Sequence, residues 1–485
     1  MKNRKKRKVR IFSKIICFIA LVALILFLYF LKKINILPNK YFYLIGAVLC
    51  FLEAIFMLFN TSKRIKSGIL IGLDIFAIII ILIEGIGAYK LNQAYNFLNT
   101  NIKIKETKEI YYFVVNKNSA YNDLKSIENK IVYYFNDTED FEKLKSNVNK
   151  KVNVILDEVS EYSELIHNLS DKEKIVLLSQ ATYDSYIENQ DDNEVKENNL
   201  KILDSVELIS IIENSDSTED IMKKPFIIYL SGIDTRSNKM PTKSLSDVNI
   251  FIVVNPQTRD ILLVNTPRDY YVQLHGTKGL KDKLTHAGGV GGVKLSKATL
   301  EDLLGYKADY YIRVNFNSVI KLVDAIGGIT LYSDVNYNFS CWTDRSCIFK
   351  PGNNKVNGKC ALAFARERHA YKGGDRHRGE NQQQVIKKVV EKLSSSKNLI
   401  LNYDKLLKAL EGTFETDLST TNITSVVQFQ INDMRGWNFT NISLDGPTGL
   451  DATYTCPNCK RSVMYQNPKT VNAAKEKIKE ILEKK

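Results

Sequence analysis

Cysteine, histidine and tryptophan are scarce in this 485-residue chain, at seven, five and two copies. Seven cysteines over such a length cannot make a disulfide scaffold of the kind small secreted domains depend on. The five histidines show no HExxH or other metal-ligand spacing. A GxSxG nucleophile turn and a GxxxxGK[ST] phosphate loop are both missing, which sets aside the common serine-hydrolase and nucleotide-hydrolase signatures. No internal repeat or low-complexity run is present. Basic charge is also thin outside one segment: the formal net charge is +14, seven of it in the first ten residues, MKNRKKRKVR, leaving +7 on the other 475. A nucleic-acid binder gathers basic charge on a folded face, so this distribution argues against one.

The remaining composition is that of a folded chain. Hydrophobic residues make up 44% and charged residues 25%, enough for sizeable cores, and the length implies two or three folded units. Behind the basic tail, residues 11–30, 41–59 and 68–89 are apolar runs, each long enough to cross a hydrocarbon core of about 30 Å. The first run lacks a small-residue cleavage site, so an anchor is expected rather than a removed leader. Lys63, Arg64 and Lys66 between the second and third runs, with the tail, place those segments in the cytoplasm and residues 90–485 outside. Glu53, Asp74 and Glu84 lie within the spans. Asp74 and Glu84 are expected to reach an interface. Glu53 is central, and either an interhelical pair or a functional contact accounts for it.

Residues 91–212 read as a small α/β accessory domain. Residues 109–115 (EIYYFVV), 131–135 and 152–156 are strand-like, and 170–186 has helical apolar spacing. No catalytic constellation stands out there. Residues 213–224 (ENSDSTEDIMKK) are polar and read as a linker. From 225 to 485, strands at 226–230, 248–255, 261–265, 310–314 and 329–332 alternate with helices at 297–304, 317–325, 357–365 and 379–393. That alternation indicates a second α/β domain, a mixed sheet with flanking helices. The glycines at 288–289 and 291–292 lack a following lysine and read as a flexible turn before the first of these helices.

Polar residues gather at the predicted strand ends. Asp234 and Arg236 follow the first strand, Asp247 opens the second, and Arg268 and Asp269 follow the third. Ligands bind at such ends in open α/β sheets. Asp234 and Asp247, from different loops, can share one hard cation, which Mg²⁺ accepts alongside phosphate oxygens. In residues 365–384, Arg366, Arg368, Arg376 and Arg378 crowd together beside Gln382. Guanidinium forks pair with phosphate oxygens, so such a cluster suits a pyrophosphate.

These motifs, in this order, resemble the LytR–CpsA–Psr family, the glycopolymer ligases of Gram-positive cell walls and capsules. The residues that carry the resemblance are GIDTR at 232–236, SDVNIFIVVNP at 246–256, TPRDYYV at 266–272 and KLTHAGG at 283–289. They continue as YYIRVNFNSVIKLVDAIGGI at 310–329, ALAFARERH at 361–369 and GDRHRGENQQQVI at 374–386. The three spans and the preceding module resemble the family's capsule-associated branch. The resemblance implies that Asp234 and Asp247 bind Mg²⁺. It implies that Arg268, Arg366, Arg368, Arg378 and Gln382 hold a polyprenyl pyrophosphate, with Asp375 an acid near the head group and Arg236 and Asp269 further polar positions. The family often has Arg before the Ser-Asp pair; here it is Leu245, and Lys243 or Arg236 is the expected replacement charge. A lipid tunnel between sheet and helices is implied too. Val319, Leu322 and Val323 form an apolar stripe that either this tunnel or ordinary core packing explains.

The implied protein is a multi-pass cell-membrane enzyme with a large extracellular part. It would be a phosphotransferase moving a glycan, such as capsular polysaccharide, from an undecaprenyl pyrophosphate carrier to peptidoglycan. Asp375 or Asp234 would take the acceptor's proton, with Arg268 and Asp269 beside the reacting phosphate. Capsule-assembly proteins are the expected protein partners. The same residues would equally serve a hydrolase of lipid pyrophosphates, or a non-catalytic regulator of capsule assembly. Outside the cell, Cys456 and Cys459 are expected to form a disulfide, as are Cys341 and Cys347, leaving Cys360 unpaired.

Overall fold

The computed structural model describes all residues except 1, 63–64, 99–103, 137, 139, 161, 189–198, 214–218, 234–239, 335–336, 339–346, 369, 372–374, 395–405, 407–408 and 410–413. The chain opens with three helices, α1 (Lys2–Ile34), α2 (Asn39–Thr61) and α3 (Ser67–Leu98), each long and apolar enough to cross a membrane. α3 outruns its predicted apolar segment by nine residues, from Tyr89 to Leu98. Glu84 therefore lies well inside the helix. Asp74 and Glu84, expected at an interface, are instead buried within the bundle, as is Glu53. The Ser13 hydroxyl donates to Asp74 Oδ2 at 2.6 Å. A helix packed on two neighbours hides its polar side chains between them, away from lipid.

A first α/β unit follows: β1 (Ile104–Asn116), β2 (Ile131–Tyr134), α4 (Phe141–Lys151), β3 (Ile155–Glu158), α5 (Tyr162–Asn168), β4 (Ile175–Ser179), α6 (Gln180–Glu188) and β5 (Leu200–Glu213). Its strands are ordered β3-β2-β4-β1-β5, with β2 parallel to β3 and β4 and β1 antiparallel to β4 and β5. Alternation along β1 sends Tyr111, Phe113 and Val115 toward α4, and Val114 toward α5. The predicted helix over 170–186 is a strand followed by a helix. All five residues of β4 are buried, as a central strand covered on both faces requires, and such a run mimics a buried helix in sequence. The predicted strand at 152–156 begins three residues later, because α4 occupies the chain to Lys151.

The second unit contains β6 (Phe226–Ile233), β7 (Ser246–Asn255), β8 (Asp260–Asn265), the short pair β9 (Tyr271–Val272) and β10 (Asp282–Lys283), and α7 (Leu284–Leu304). Then come β11 (Tyr310–Asn315), α8 (Phe316–Ala325), β12 (Ile329–Ser333), β13 (Tyr337–Asn338), β14 (Ile348–Phe349), β15 (Gly352–Val356), α9 (Gly358–Arg366) and α10 (Asp375–Leu393). The chain closes with β16 (Phe414–Thr416), α11 (Thr420–Asn432), β17 (Asn438–Ser443), the hairpin β18 (Thr448–Thr453) and β19 (Cys456–Met464), and α12 (Pro468–Glu483).

The main sheet is ordered β16-β11-β6-β7-β8-β17. It is mixed: β11 is parallel to β6 and β17 to β8, while β6, β7 and β8 run antiparallel. One face packs on α7 and α12 and shares a single core with the first unit, in which Tyr229, Phe251 and Leu300 meet Val114, Tyr162 and Val176. The opposite face, with Ile228, Ile250 and Leu263, lies beneath α10 and α11.

The glycine run expected as a turn before a helix is one only in its second half: Gly288 and Gly289 are helical, whereas Gly291 and Gly292 leave helical φ/ψ and break the helix. It lies within α7, kinked at Gly291 and Gly292, where Gly292 has φ +66°. A Cβ on Gly288 would stand 2.4 Å from Ser244 O, and one on Gly292 2.8 Å from Thr242 O. The glycines thus let the segment before β7 lie directly on α7. Cys456 pairs with Cys459 as expected. Cys347 pairs with Cys360, thirteen residues away, and not with Cys341, which lies outside the described residues. The fold sets β14 beside α9, with Cα atoms 5.4 Å apart at the bridge, a proximity no local spacing reveals.

Candidate functional site

β6 and β11 end, and β7 begins, at one edge of the main sheet. There α8, α9 and α10 enclose a cavity of about 370 Å³. Two kinds of side chain line it. Leu230, Val248, Val314, Phe316, Val319, Leu362, Val385 and Ile386 are apolar; Asp247, Arg268, Arg366, Glu367, Arg368, Arg378 and Gln382 are polar. The backbone is fitted closely here too, since a Cβ on Gly232 would meet Val248 Cβ at 2.7 Å.

The structure therefore brings together Asp247 from β7, Arg268 after β8, Arg366 and Arg368 at the end of α9, and Arg378 and Gln382 from α10. Asp234 and Arg236 lie outside the described residues, one and three positions along the chain from Ile233, which lines the cavity. Asp375 opens α10, and its side chain is outside the described set. Arg376 is exposed, 3.6 Å from Asp445, and does not line the cavity. Asp269 stands just behind it, 3.8 Å from Arg268 Nε and 3.3 Å from Lys283 Nζ. Burial pushes the Asp269 carboxyl up, but Lys283, Arg268 and Arg378 outweigh it and hold the group below the ordinary carboxylate range. The apolar stripe divides: Val319 lines the cavity, whereas Leu322 and Val323 belong to the core beneath α9.

Two charges are spoken for by their neighbours. Arg268 Nη1 donates to Asp247 Oδ1 at 3.0 Å, and Thr285 Oγ1 donates to the same oxygen at 3.4 Å. Arg366 lies over the Phe316 ring at 4.2 Å, which fixes its guanidinium plane at the cavity wall. Lys243, an expected stand-in for the arginine missing at Leu245, points elsewhere: it is buried 3.5 Å from Glu109 of β1 and is not among the lining residues.

Supporting contacts escaped the sequence reading. Gln383 donates to Leu263 O and Ile442 O, at 3.0 and 2.9 Å, tying α10 to the parallel strands β8 and β17. Arg313, inside the 310–329 motif but given no role there, is fully buried; it donates to Glu415 and Thr242 O, both at 3.2 Å, and to Pro241 O. It thereby holds the segment leading to Asp247. Glu367, between Arg366 and Arg368 and given no role by the motif, also lines the cavity, and its Oε1 accepts from Ala370 N at 2.9 Å. His286 and Asp282, 2.6 Å apart and buried, bind the Thr455 backbone and hydroxyl, so they serve the β18–β19 hairpin.

Asp247 offers carboxylate oxygen beside four arginines lining the same cavity. Among the described residues no group of three or more His, Cys, Asp or Glu side chains is placed to hold a metal ion, and Asp247 Oδ1 is already taken by Arg268 and Thr285.

Fold and site together define a class: an α/β protein bearing three membrane-length helices, with an apolar cavity rimmed by guanidinium groups. The chain belongs to the LytR_cpsA_psr family, whose model matches residues 175–469, from β4 into α12. It is 33% identical over 212 residues to biofilm regulatory protein A of Streptococcus mutans, covering 42% of this chain and 52% of that protein. It is 36% identical over 197 residues to the polyisoprenyl-teichoic acid–peptidoglycan teichoic acid transferase TagU of Enterococcus faecalis, covering 41% and 63% respectively. The matched part thus spans between half and two thirds of these relatives. The crystal structure of protein gbs0355 from Streptococcus agalactiae aligns with a TM-score of 0.47 at 28% identity, over 56% of this chain and 92% of that one.

Proposed function

We propose that this protein is a membrane-anchored phosphotransferase that moves a glycopolymer from a polyprenyl pyrophosphate carrier to peptidoglycan. The carrying observation is the two-sided cavity, with arginines on one part of its wall and aliphatic and aromatic side chains on the rest. An amphiphile with an anionic head and a hydrocarbon tail matches that lining. The name of the Enterococcus faecalis relative points to the same class of carrier and acceptor.

In this reading Arg268, Arg366, Arg368 and Arg378 hold the pyrophosphate, with Gln382 beside them. The acceptor hydroxyl oxygen forms a bond to the phosphorus that carries the glycan. The P–O–P bond breaks, and polyprenyl phosphate departs with its charge offset by the guanidinium groups. The hydroxyl proton passes to a carboxylate, Asp375 or Asp234. Asp269, kept ionised by Lys283 and Arg268, orients Arg268 from behind. Asp247 and Asp234 would hold Mg²⁺, which when bound adds positive charge at the pyrophosphate. The site faces the cell exterior, where peptidoglycan lies, as the basic N-terminal tail favours.

The test is transfer of a labelled lipid-pyrophosphate glycan to peptidoglycan fragments by the full-length protein in lipid nanodiscs. Wild type should release polyprenyl phosphate and label the acceptor. Release of free glycan with an unlabelled acceptor would make the protein a hydrolase. Full transfer by Arg268→Ala combined with Asp247→Ala would sink the assigned site.

A further inference from the structure

Helix α11 and the turn after it were not singled out by any motif, yet their placement is specific. Ile423 of α11 packs against the cluster of Ile34 and Ala94 near the C-terminal ends of α1 and α3, which Ile36, Leu91 and Phe97 also join. Gln428 Nε2 donates to Asn35 O at 2.5 Å. These same ends carry a belt of aromatic and lysine side chains. Lys33 lies 4.1 Å from the Tyr95 ring centroid and 5.5 Å from that of Tyr29, and Lys32 lies 5.2 Å from that of Phe42. Amphipathic rings and snorkelling lysines mark the level where hydrocarbon gives way to headgroups. α11 therefore sits at that level.

Beside this contact, α11 and its turn expose two large apolar side chains among the polar Thr421, Asn432 and Arg435. They are Val426 and, just after the helix, Met434, 38% and 39% exposed. The turn is rigid. Arg259, itself buried, donates to Gln430 Oε1 at 3.0 Å, to Arg435 O at 2.9 Å and to Asp433 O at 2.6 Å. Its guanidinium lies over Phe429 at 4.4 Å and over Trp437 at 5.2 Å. A buried arginine that clamps both sides of a turn whose tip is an exposed methionine keeps that tip projecting.

We propose that α11 and the turn through Trp437 are a bilayer-contacting surface. It seats the α/β domain on the leaflet at which α1 and α3 end. The occupant is lipid, because the patch continues directly from membrane-length helices at their aromatic–lysine belt. α11 and α10 cover the same sheet face, and α10 supplies Val385 and Ile386 to the cavity wall. A seated α11 thus holds the cavity's helix close to the bilayer. The proposal depends on the helices spanning a membrane and is independent of the transfer reaction.

Tryptophan fluorescence tests it. The chain has two tryptophans, so Trp342→Phe leaves Trp437 as the sole reporter. The full-length variant is placed in nanodiscs of ordinary lipid or lipid brominated on the acyl chains. Emission from Trp437 should fall, roughly twofold more with bromines near the headgroups than at the chain ends, as an interfacial residue requires. Adding Val426→Asp and Met434→Asp, both at exposed positions, should restore most of the emission while the thermal midpoint stays that of the parent. Equal emission in brominated and ordinary lipid would overturn the proposal and assign the patch to a protein partner. Quenching unchanged by the two aspartates would overturn it as well, because the turn would then lie near lipid without these side chains making the contact.

Discussion

The five-stranded sheet of residues 104–213 and the six-stranded sheet that follows both mix parallel and antiparallel pairs, and both are covered on two faces. In the first, the helices close flush on the strands: Leu144 and Val148 of α4 fill one side, and Tyr162 and Leu165 of α5 the other. In the second, α8, α9 and α10 leave space beyond the ends of β6 and β11, and arginines and an aspartate line it. Layer architecture is thus common to the two units, and what distinguishes them is the side chains at the strand ends. The contrast teaches that the fold supplies an edge, and the residues placed there decide whether it becomes a site.

The sharpest way to break this comparison is to remove charge from each unit in turn. Arg378→Ala should lower lipid binding and transfer about ten- to a hundredfold, since a charge-assisted phosphate contact is worth roughly 1.5–3 kcal/mol. Lys151→Ala in the first unit, which loses an exposed pair with Asp204 and a hydrogen bond to Ser205 O, should leave both unchanged. Arg378→Lys should recover little, because the planar fork is lost. Titration with a fluorescent polyprenyl pyrophosphate measures all three.

A second prediction asks whether the units are independent at all. Lys243 and Glu109 form a buried pair across the boundary, with side chains 4% and 8% exposed. Lys243→Met alone should destabilise the protein by about 3 kcal/mol, because a buried charge loses its partner. Lys243→Met with Glu109→Gln should be milder than either change alone. Denaturant unfolding of the four proteins gives the coupling; strictly additive effects would show that the pair does not link the units.

Removing the Cys347–Cys360 bridge by serine substitution at both positions should cost about 2–3 kcal/mol, as expected for a closed loop of this size. Reduction of wild type should reproduce that loss in thermal unfolding. A wild-type protein with Cys360 alkylated before reduction would restore the pairing expected from sequence.

The smallest effect concerns acid. The Asp269 carboxyl is held below its ordinary value, so its contribution is present above the unfolded value of about 3.9 and is lost as pH falls through the lower folded value. Asp269→Asn should therefore flatten the acid limb of the stability curve below about pH 4 and leave the neutral region's slope unchanged. Unfolding midpoints measured from pH 7 downward read this directly.

Much of the site was legible in order along the chain. Asp247, Arg268, Arg366, Arg368, Arg378 and Gln382 sit at strand ends and at the α9–α10 junction, where polar residues interrupt apolar periodicity, and all six line one cavity. Lys243 and Arg376 carry the same charge a few positions away and do not line it, because each is drawn to a carboxylate, Glu109 or Asp445, contributed by a distant segment. Helical and strand signals failed where burial erased periodicity, as in β4, and the first part of α7 was missed because Gly288 and Gly289 suit a close approach within a helix as well as a turn.

Periodicity, charge placement and strand-end chemistry are properties of neighbouring residues. They were enough to yield three membrane-length helices, two α/β units and most of the charged residues of the cavity. Which charges meet, which partner Cys347 takes, and that α11 rests against the ends of α1 and α3 depend on contacts between residues from thirteen to hundreds of positions apart. Ile423 reaching Ile34, and Cys347 reaching Cys360, are set by how layers pack and loops close, and no local pattern encodes those distances.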